Sequence, residues 1–412
     1  MPRWEFIALA AGLMALNALA IDIMLPGLPE MGHSLNVTEE NHRQYVISAY
    51  FGGMAAALLF YGPLSDRFGR RIPLLTGLGI YVLAAIGAAF APDFETLLAL
   101  RFVQGVGAAS TRVIAVSIVR DRFGGRAMAE VMSLIFMTFM IVPVIAPNLG
   151  QVIMLVANWH MIFIVMGLLA AGIMLWAYVR LPESLHPEDR RPINIGSIMG
   201  GFRIVLTNRL SLGYTLASTV VFAALFGFIN SAQQIYVDVY GLGVWFPLVF
   251  AGVASVMALS SYLNSRLVAR VGMRRLSHGA LLGFVTVSLI WFAWSLTGPV
   301  PFPVFIVLFA AAMFQFGWIG SNFNSIAMEP LGHIAGTASS IQGFIQTLGG
   351  GIIGAIIGQA FDGTVTPLAA GFFGVGAIGI AFVLIAEKGK LFAAPSADRQ
   401  AARDAALHGG GH

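Results

Sequence analysis

The sequence contains no cysteine in 412 residues. Disulfides, thiolate metal sites and cysteine nucleophiles are therefore excluded. Charge is also scarce. Asp, Glu, Lys and Arg make up 10% of the chain, against roughly 25% in soluble proteins. The eight histidines fall mostly in loops or in the tail, and no pair has metal-ligand spacing. Phosphate-cradling glycine loops, nucleotide motifs and a nucleophile–base constellation are all missing. A metal centre, a cofactor, ATP-driven work and an enzymatic activity are accordingly not expected. The pI near 9.6 invites a nucleic-acid reading, but the basic residues sit in short loops between apolar runs, not on one face or tail. No nucleic-acid partner is expected.

Apolar sequence fills the chain instead. Hydrophobic residues account for 58% of it, and mean hydropathy is +0.83. Apolar runs of about 20 residues imply an all-α membrane protein embedded in a lipid bilayer, because only helices suit runs of that length. Twelve spans are predicted, at 4–28, 44–65, 72–91, 94–119, 130–154, 160–180, 210–232, 244–264, 276–297, 302–323, 334–360 and 366–386. The first run lacks a small-residue cleavage site after it and reads as a retained span. The 48 glycines fit helices that approach one another closely.

The longest polar gap, 181–209, divides the spans six and six. The expected organisation is a six-helix bundle at 1–181, a linker at 182–209, a second six-helix bundle at 210–388 and a loose tail at 389–412. With the N-terminus in the cytoplasm, 20 of the 23 basic residues fall in cytoplasmic segments. Only Arg43 lies on the other side, while Arg101 and Arg112 lie inside the fourth span. The bias of Lys and Arg towards the cytoplasm then places both termini there. A shift of 203 residues lays Leu64, Arg67, Gly69 and Arg71 over Leu267, Arg270, Gly272 and Arg274. Both stretches join the second span of a half to its third, so duplication into two pseudo-symmetric bundles is expected, a transporter architecture. Asp66 has no counterpart in the copy, where Ala269 stands.

The turn Gly62-Pro63-Leu64-Ser65-Asp66-Arg67-Phe68-Gly69-Arg70-Arg71 resembles the signature loop between spans 2 and 3 of the major facilitator superfamily. Arg101-Phe102-Val103-Gln104-Gly105 is similar to the R-x-x-Q-G motif of its twelve-span drug/proton antiporters. Asp22-Ile23-Met24-Leu25-Pro26-Gly27-Leu28-Pro29 is similar to the D-x-x-L-P-x-L-P of Bcr/CflA-type multidrug exporters, as is Arg120-Asp121. The antiporter motif of span 5, G-P-x-x-G, is met by Pro147 and Gly150 and departs at Ala146. Met14 stands where some drug exporters carry a second acid. The resemblance implies the major facilitator fold in a bacterial inner membrane and, in all expectation, a monomer. It implies export of small, amphipathic compounds in exchange for protons by alternating access. Proton-coupled import of a small metabolite and a non-transporting membrane sensor stay open as alternatives.

Asp22 is the one acid well inside a predicted span. A charge in the bilayer core costs at least about 2.5–3.5 kcal/mol, so it should face the bundle interior. Burial favours the neutral form of a carboxyl and a nearby arginine the charged form. A carboxyl between those influences can take up and return a proton as its hydration changes. Asp22 and Arg101 lie at matching depths, near 9–11 Å at 1.5 Å per residue, and are the candidate proton-coupling pair. A static ion pair joining helices 1 and 4 is the other reading.

Arg112 either lines the cavity and attracts anionic groups or snorkels to the surface. Gln104, Phe222, Phe226, Asn230, Gln315, Gln342 and Gln346 are further substrate-site candidates, with interhelical hydrogen bonding or packing as the plain alternative. A conformational gate is expected at Gly62, Asp66, Arg67, Gly69, Arg70 and Arg71. Asp66 would face a helix N-terminus of the other half, that of span 11, and Arg70 would pair with Asp121. The missing acid in the copy suggests a gate acting mainly in the first half.

Overall fold

The computed structural model describes residues 1–123, 125–190 and 195–392, and these form helices and turns with no strand among them. The helices are α1 (Arg3–Asp22), α2 (Leu28–Ser34), α3 (Tyr45–Phe68), α4 (Arg71–Ala88), α5 (Phe94–Arg122), α6 (Gly125–Val156) and α7 (Trp159–Arg180), then α8 (Ile195–Thr207), α9 (Arg209–Gln233), α10 (Phe246–Val271), α11 (Met273–Ser295), α12 (Phe302–Met328), α13 (Ala335–Gln359) and α14 (Thr366–Ala386). Among the described residues, eleven helical segments are long and apolar enough to cross a membrane. The fifth expected span falls in α6, which runs 32 residues. The side chains of 124–130, 132, 133 and 136–140 there lie outside the described residues.

Helices α1 and α3–α7 pack on one another, and so do α9–α14. Small residues set how closely. In the first set a Cβ on Gly53 would overlap the carbonyl of Phe102, and one on Gly105 the carbonyl of Tyr50, so α3 and α5 touch backbone to backbone. In the second, Gly350, Gly354 and Gly358 form a stripe at four-residue spacing on α13. Their absent side chains make room for Phe226, Gly227 and Asn230 of α9. Such stripes bring membrane helices close enough for dispersion and interhelical bonds to hold them.

Because the spans alternate in direction, one face carries Met1 and the segments 66–71, 120–123, 180–190, 266–275 and 387–392. This is called the near face below. The far face carries 35–44, 89–93, 157–158, 240–245, 296–301 and 360–365. The tail expected to be loose, 389–412, lies largely outside the described residues.

The repeat has a backbone counterpart. Gly69 ends α3 at φ +89° and Gly272 ends α10 at φ +91°. A left-handed φ of this kind favours glycine, and the two positions are those aligned by the 203-residue shift. The polar gap, by contrast, holds more than linker. Helix α8 packs Val205 against Leu331, Ala338 and Ile341, and Phe202 meets the ring of Phe344 edge-on. Phe202 and Val205, three residues apart, share one side of α8 and cover the near-face end of α13.

Candidate functional site in the membrane interior

Asp22 ends α1, and the sequence explains why the helix opens there. Pro26, four residues on, has no N–H to give the Asp22 carbonyl. The chain turns through Leu25–Gly27 as a 3₁₀ helix before α2 resumes. The Asp22 side chain is 4% exposed. Among the described residues it has neither a hydrogen bond nor an ion pair. An unpaired carboxylate is costly in a dry interior, and a helix C-terminus is a poor place for negative charge. The carboxyl there is therefore either protonated or reached by water.

Two neighbours couple this opening to the rest of the molecule. On α6, Gly150 lies against Ile23, and a Cβ on it would overlap the Ile23 carbonyl. The Leu25–Gly27 turn touches both α6 and, from the other half, α9. The last glycine of the span 5 motif thus packs beside the acid of span 1.

Arg101 is fully buried but does not pair with Asp22, which corrects the ion pair inferred from depth. Nη2 donates to the Ala20 carbonyl at 3.0 Å, Nε to the Val46 carbonyl at 3.1 Å and Nη1 to Gln104 Oε1 at 2.7 Å. Its guanidinium lies 4.6 Å from the Tyr50 ring centroid and 5.9 Å from that of Phe163. Depth placed Arg101 correctly, two residues from Asp22 along α1. Helical rotation decides the rest: Ala20 and Asp22 project about 200° apart around the axis. Below this point Asn17 joins Thr111 of α5 at 2.8 Å and Tyr50 of α3 at 3.4 Å. These three polar groups were not singled out from the sequence, although an asparagine inside an apolar span is itself a signal.

The other candidate cavity residues separate by position. Gln104 is held inside the first half by Arg101. Gln315 returns to the Ala311 carbonyl and borders Gly283 of α11. Phe222 meets Phe316 edge-on at 5.9 Å between α9 and α12. Gln342 donates to Ser211 at 3.2 Å and Gln346 to Asn324 at 2.9 Å, both within the second half. These five make their contacts inside a half, and Phe222, Gln315 and Gln346 keep partial exposure. Phe226 differs, because its ring faces Phe51 of the other half at 4.5 Å. Arg112 differs too, reaching Thr347 of α13 at 3.4 Å. Asn230 meets Ser48 at 3.4 Å, nearer the far face.

At the far face the halves are joined by polar bonds. Arg43 pairs with Asp238 at 2.7 Å. Gln44 donates to Gln234 at 2.5 Å and to the Gly358 carbonyl at 3.0 Å. Asn41 donates to the carbonyls of Gln359 and Phe361 at 3.0 and 2.7 Å, and Gln359 answers to the Asn41 carbonyl at 2.7 Å. Sequence reading passed over this seal, although Arg43 was the one basic residue on its side. At the near face, every ion pair among the described residues stays within one half.

The signature turn is one of these near-face clusters. Arg70 is 3% exposed and holds Asp121 at 2.7 Å and Asp66 at 2.5 Å. Burial opposes its charge, and the two carboxylates more than offset this, holding its pKa above the ordinary arginine value. Glu183 accepts from the backbone N–H groups of Arg70 and Arg71 at 2.8 and 3.2 Å. Arg71 donates to the Tyr178 carbonyl, and Arg67 stacks over Phe68. Asp66 is thus engaged by Arg70; the expected contact with the start of α13 falls on 332–337, whose side chains lie outside the described residues. Gly62 faces Ser340 of α13, its notional Cβ 3.8 Å from that hydroxyl.

The second half has the same device one residue along. Arg274 holds Glu329 at 2.8 Å and Glu387 at 2.7 Å. Asp66 has no counterpart, but the arginine is still held by acids at the ends of α12 and α14, as Arg70 and its neighbour are by Asp121 in the last turn of α5 and Glu183 after α7. An arginine held by two acids is therefore present in both halves.

Comparison with known proteins agrees with this architecture. The family model of the Major Facilitator Superfamily matches residues 10–355. The chain is 30% identical over 379 residues to Uncharacterized MFS-type transporter YdgK of Bacillus subtilis (strain 168), covering 90% of this chain and 93% of that one. It is 31% identical over 369 residues to the Bicyclomycin resistance protein homolog of Haemophilus influenzae, covering 88% and 91%. Multidrug resistance protein MdtL of Escherichia coli O139:H28 is 30% identical over 241 residues, 58% of this chain. The crystal structure of the human organic anion transporter MFSD10 (TETRAN) superposes with a TM-score of 0.68 over 94% of this chain, at 17% identity, a likeness of fold alone.

Proposed function

The chain belongs to the Major Facilitator Superfamily, and from that premise we propose that it exports small amphipathic compounds across a bacterial inner membrane in exchange for protons. It is a multi-pass membrane transporter by family and by its apolar helices. The observation that carries the finer reading is Asp22: a buried, unpaired carboxyl at an opened turn that touches both a span of its own half and the opposite half. Relatives named for bicyclomycin and multidrug resistance support drug-like cargo.

The bias of Lys and Arg supports a cytoplasmic near face, which makes the far-face seal periplasmic. In the proposed cycle, the periplasmic seal around Arg43 and Asp238 opens, Asp22 takes a proton and the substrate leaves. The halves rock, the proton passes to the cytoplasm and a new substrate enters. A neutral Asp22 can be buried dry, and a charged one needs water, so the proton decides which packing of the opened turn is cheaper. The near-face clusters keep each half rigid during rocking. One proton moved through 100 mV yields about 2.3 kcal/mol, enough for roughly a 50-fold gradient of a neutral substrate at 1.4 kcal/mol per tenfold.

The test is direction. In proteoliposomes with the near face outward, acidifying the lumen should drive an added fluorescent drug into the lumen. Movement of the drug out of the lumen alongside protons would instead establish symport. The second reading, proton-coupled import, is favoured by Ala146, where the span 5 motif departs from glycine.

A further inference from the structure

One cation inside a membrane-spanning helix, Arg112, is used by none of the ion pairs above. Arg112 follows Thr111, the hydroxyl that anchors Asn17, and lies about two-thirds of the way along α5. Its Nη1 reaches Thr347 Oγ1 of α13 at 3.4 Å, and among the described residues no carboxylate lies within 4.0 Å of it. Snorkelling does not describe it. Ten residues of helix, about 15 Å, separate it from the end of α5 at Arg122, more than an arginine side chain spans.

The surroundings give it an opening. On α5, residues 112, 113, 116 and 117 keep partial exposure, while 110, 111, 114, 115, 118 and 119 are buried. Arg112 is the residue of this stripe that reaches α13, across the halves. Beside it Phe51 and Phe226 meet across the halves at 4.5 Å, and Gly351 of α13 comes within contact of Phe51. A guanidinium cannot shed its charge. Left in this space with one long bond to a neutral hydroxyl, it lacks most of the partners a buried charge requires. Planar forked donors match a carboxylate, sulfonate or phosphonate, and a flat apolar body fits the phenylalanine pair.

We propose that Arg112 binds the anionic group of the transported compound, and that the substrate class is aromatic amphipaths bearing one such group. The proposal rests on the export reading above. Because Arg112 comes from one half and Thr347 from the other, a bound anion bridges them, and its arrival and loss are felt by both.

Two probes separate charge from shape: 2-naphthoate and its neutral isostere 2-naphthamide, titrated calorimetrically against the full chain in phosphatidylcholine nanodiscs. The wild type should bind the naphthoate at least about tenfold more tightly, equivalent to about 1.4 kcal/mol. Arg112→Gln should lose that preference while its naphthamide affinity stays unchanged, and Arg112→Lys should keep part of it. Unchanged naphthamide binding also reports that the Gln variant is folded. Equal affinity of the wild type for both probes, or an equal loss of both in Arg112→Gln, overturns the proposal. Phosphatidylglycerol added to the nanodiscs supplies a lipid anion, and its displacing the naphthoate would assign the arginine to a headgroup and overturn it as well. Proton-driven drug export by the wild type, measured in parallel, distinguishes the readings: its absence contradicts the export reading, whereas equal affinity for the two probes contradicts the Arg112 proposal alone.

Discussion

At the scale of single residues, the chemistry follows from where charge is tolerated. Asp22 was legible because an acid in an apolar run is rare and expensive, and depth brought Arg101 to the same stretch of α1, at the Ala20 carbonyl. The pairing itself was not legible. Residue counting gives height along a helix, while the direction of a side chain depends on rotation and on which carbonyls a turn leaves available. Arg101 settled on the Ala20 and Val46 carbonyls and two aromatic faces instead. The same limit hid the contacts of Gln104, Gln315 and Phe222, which all lie within one half. Arg70 illustrates the opposite case, because its partner Asp121 was anticipated and lies at 2.7 Å. Replacing Arg70 with alanine would leave two carboxylates without their common cation. Removing one partner of a buried pair costs on the order of 3 kcal/mol. The variant should therefore unfold at a visibly lower temperature in detergent than the wild type, with Arg70→Lys in between. Identical melting of all three would refute a structural role for the cluster.

At the scale of elements, spans were easy to read and interruptions were not. Apolar length alone locates helices in a bilayer, since an unpaired backbone group there is so unfavourable. The break at Asp22 is encoded by Pro26, but only with the missing N–H counted back four residues. Helix α8 escaped because Arg203 and Arg209 made the gap look polar, although Ile198, Phe202 and Val205 mark an apolar stripe. The contact between Gly150 and Ile23 likewise needs the fold, since nothing in sequence says that spans 1 and 5 touch beside Asp22. Gly150→Val would push α6 away from the opened turn. Overpacking of this kind costs about 1–3 kcal/mol, and proton-driven transport should fall much further than protein yield does. Gly79→Val is the control, because nothing lies within 4 Å of a Cβ there. Equal transport by the two variants would show that the contact does not matter.

At the scale of the whole molecule, two similar halves are joined by polar bonds at one face and hold separate ion-pair clusters at the other. The repeat was visible in four matched residues, and the paired glycines at φ +89° and +91° are its structural imprint. What the sequence hid was which face is shut, because that depends on contacts between segments some 200 residues apart. The absence of cysteine makes this testable without a background of native thiols. Arg43→Cys together with Asp238→Cys, joined by a short bifunctional thiol reagent, should hold the far face closed and stop transport. A reducible crosslinker should allow recovery on reduction. Full transport in a quantitatively crosslinked sample would mean that the seal need not open.

The central claim is that Asp22 couples the proton to the movement of the halves, and one comparison isolates it. Asp22→Asn keeps the shape of the side chain but cannot ionise. In proteoliposomes it should still exchange labelled for unlabelled substrate at equal concentrations on both sides, which needs rocking but no proton. It should fail to accumulate substrate against a gradient when a pH difference is imposed. Uphill, pH-driven accumulation by Asp22→Asn at the wild-type rate would contradict the account.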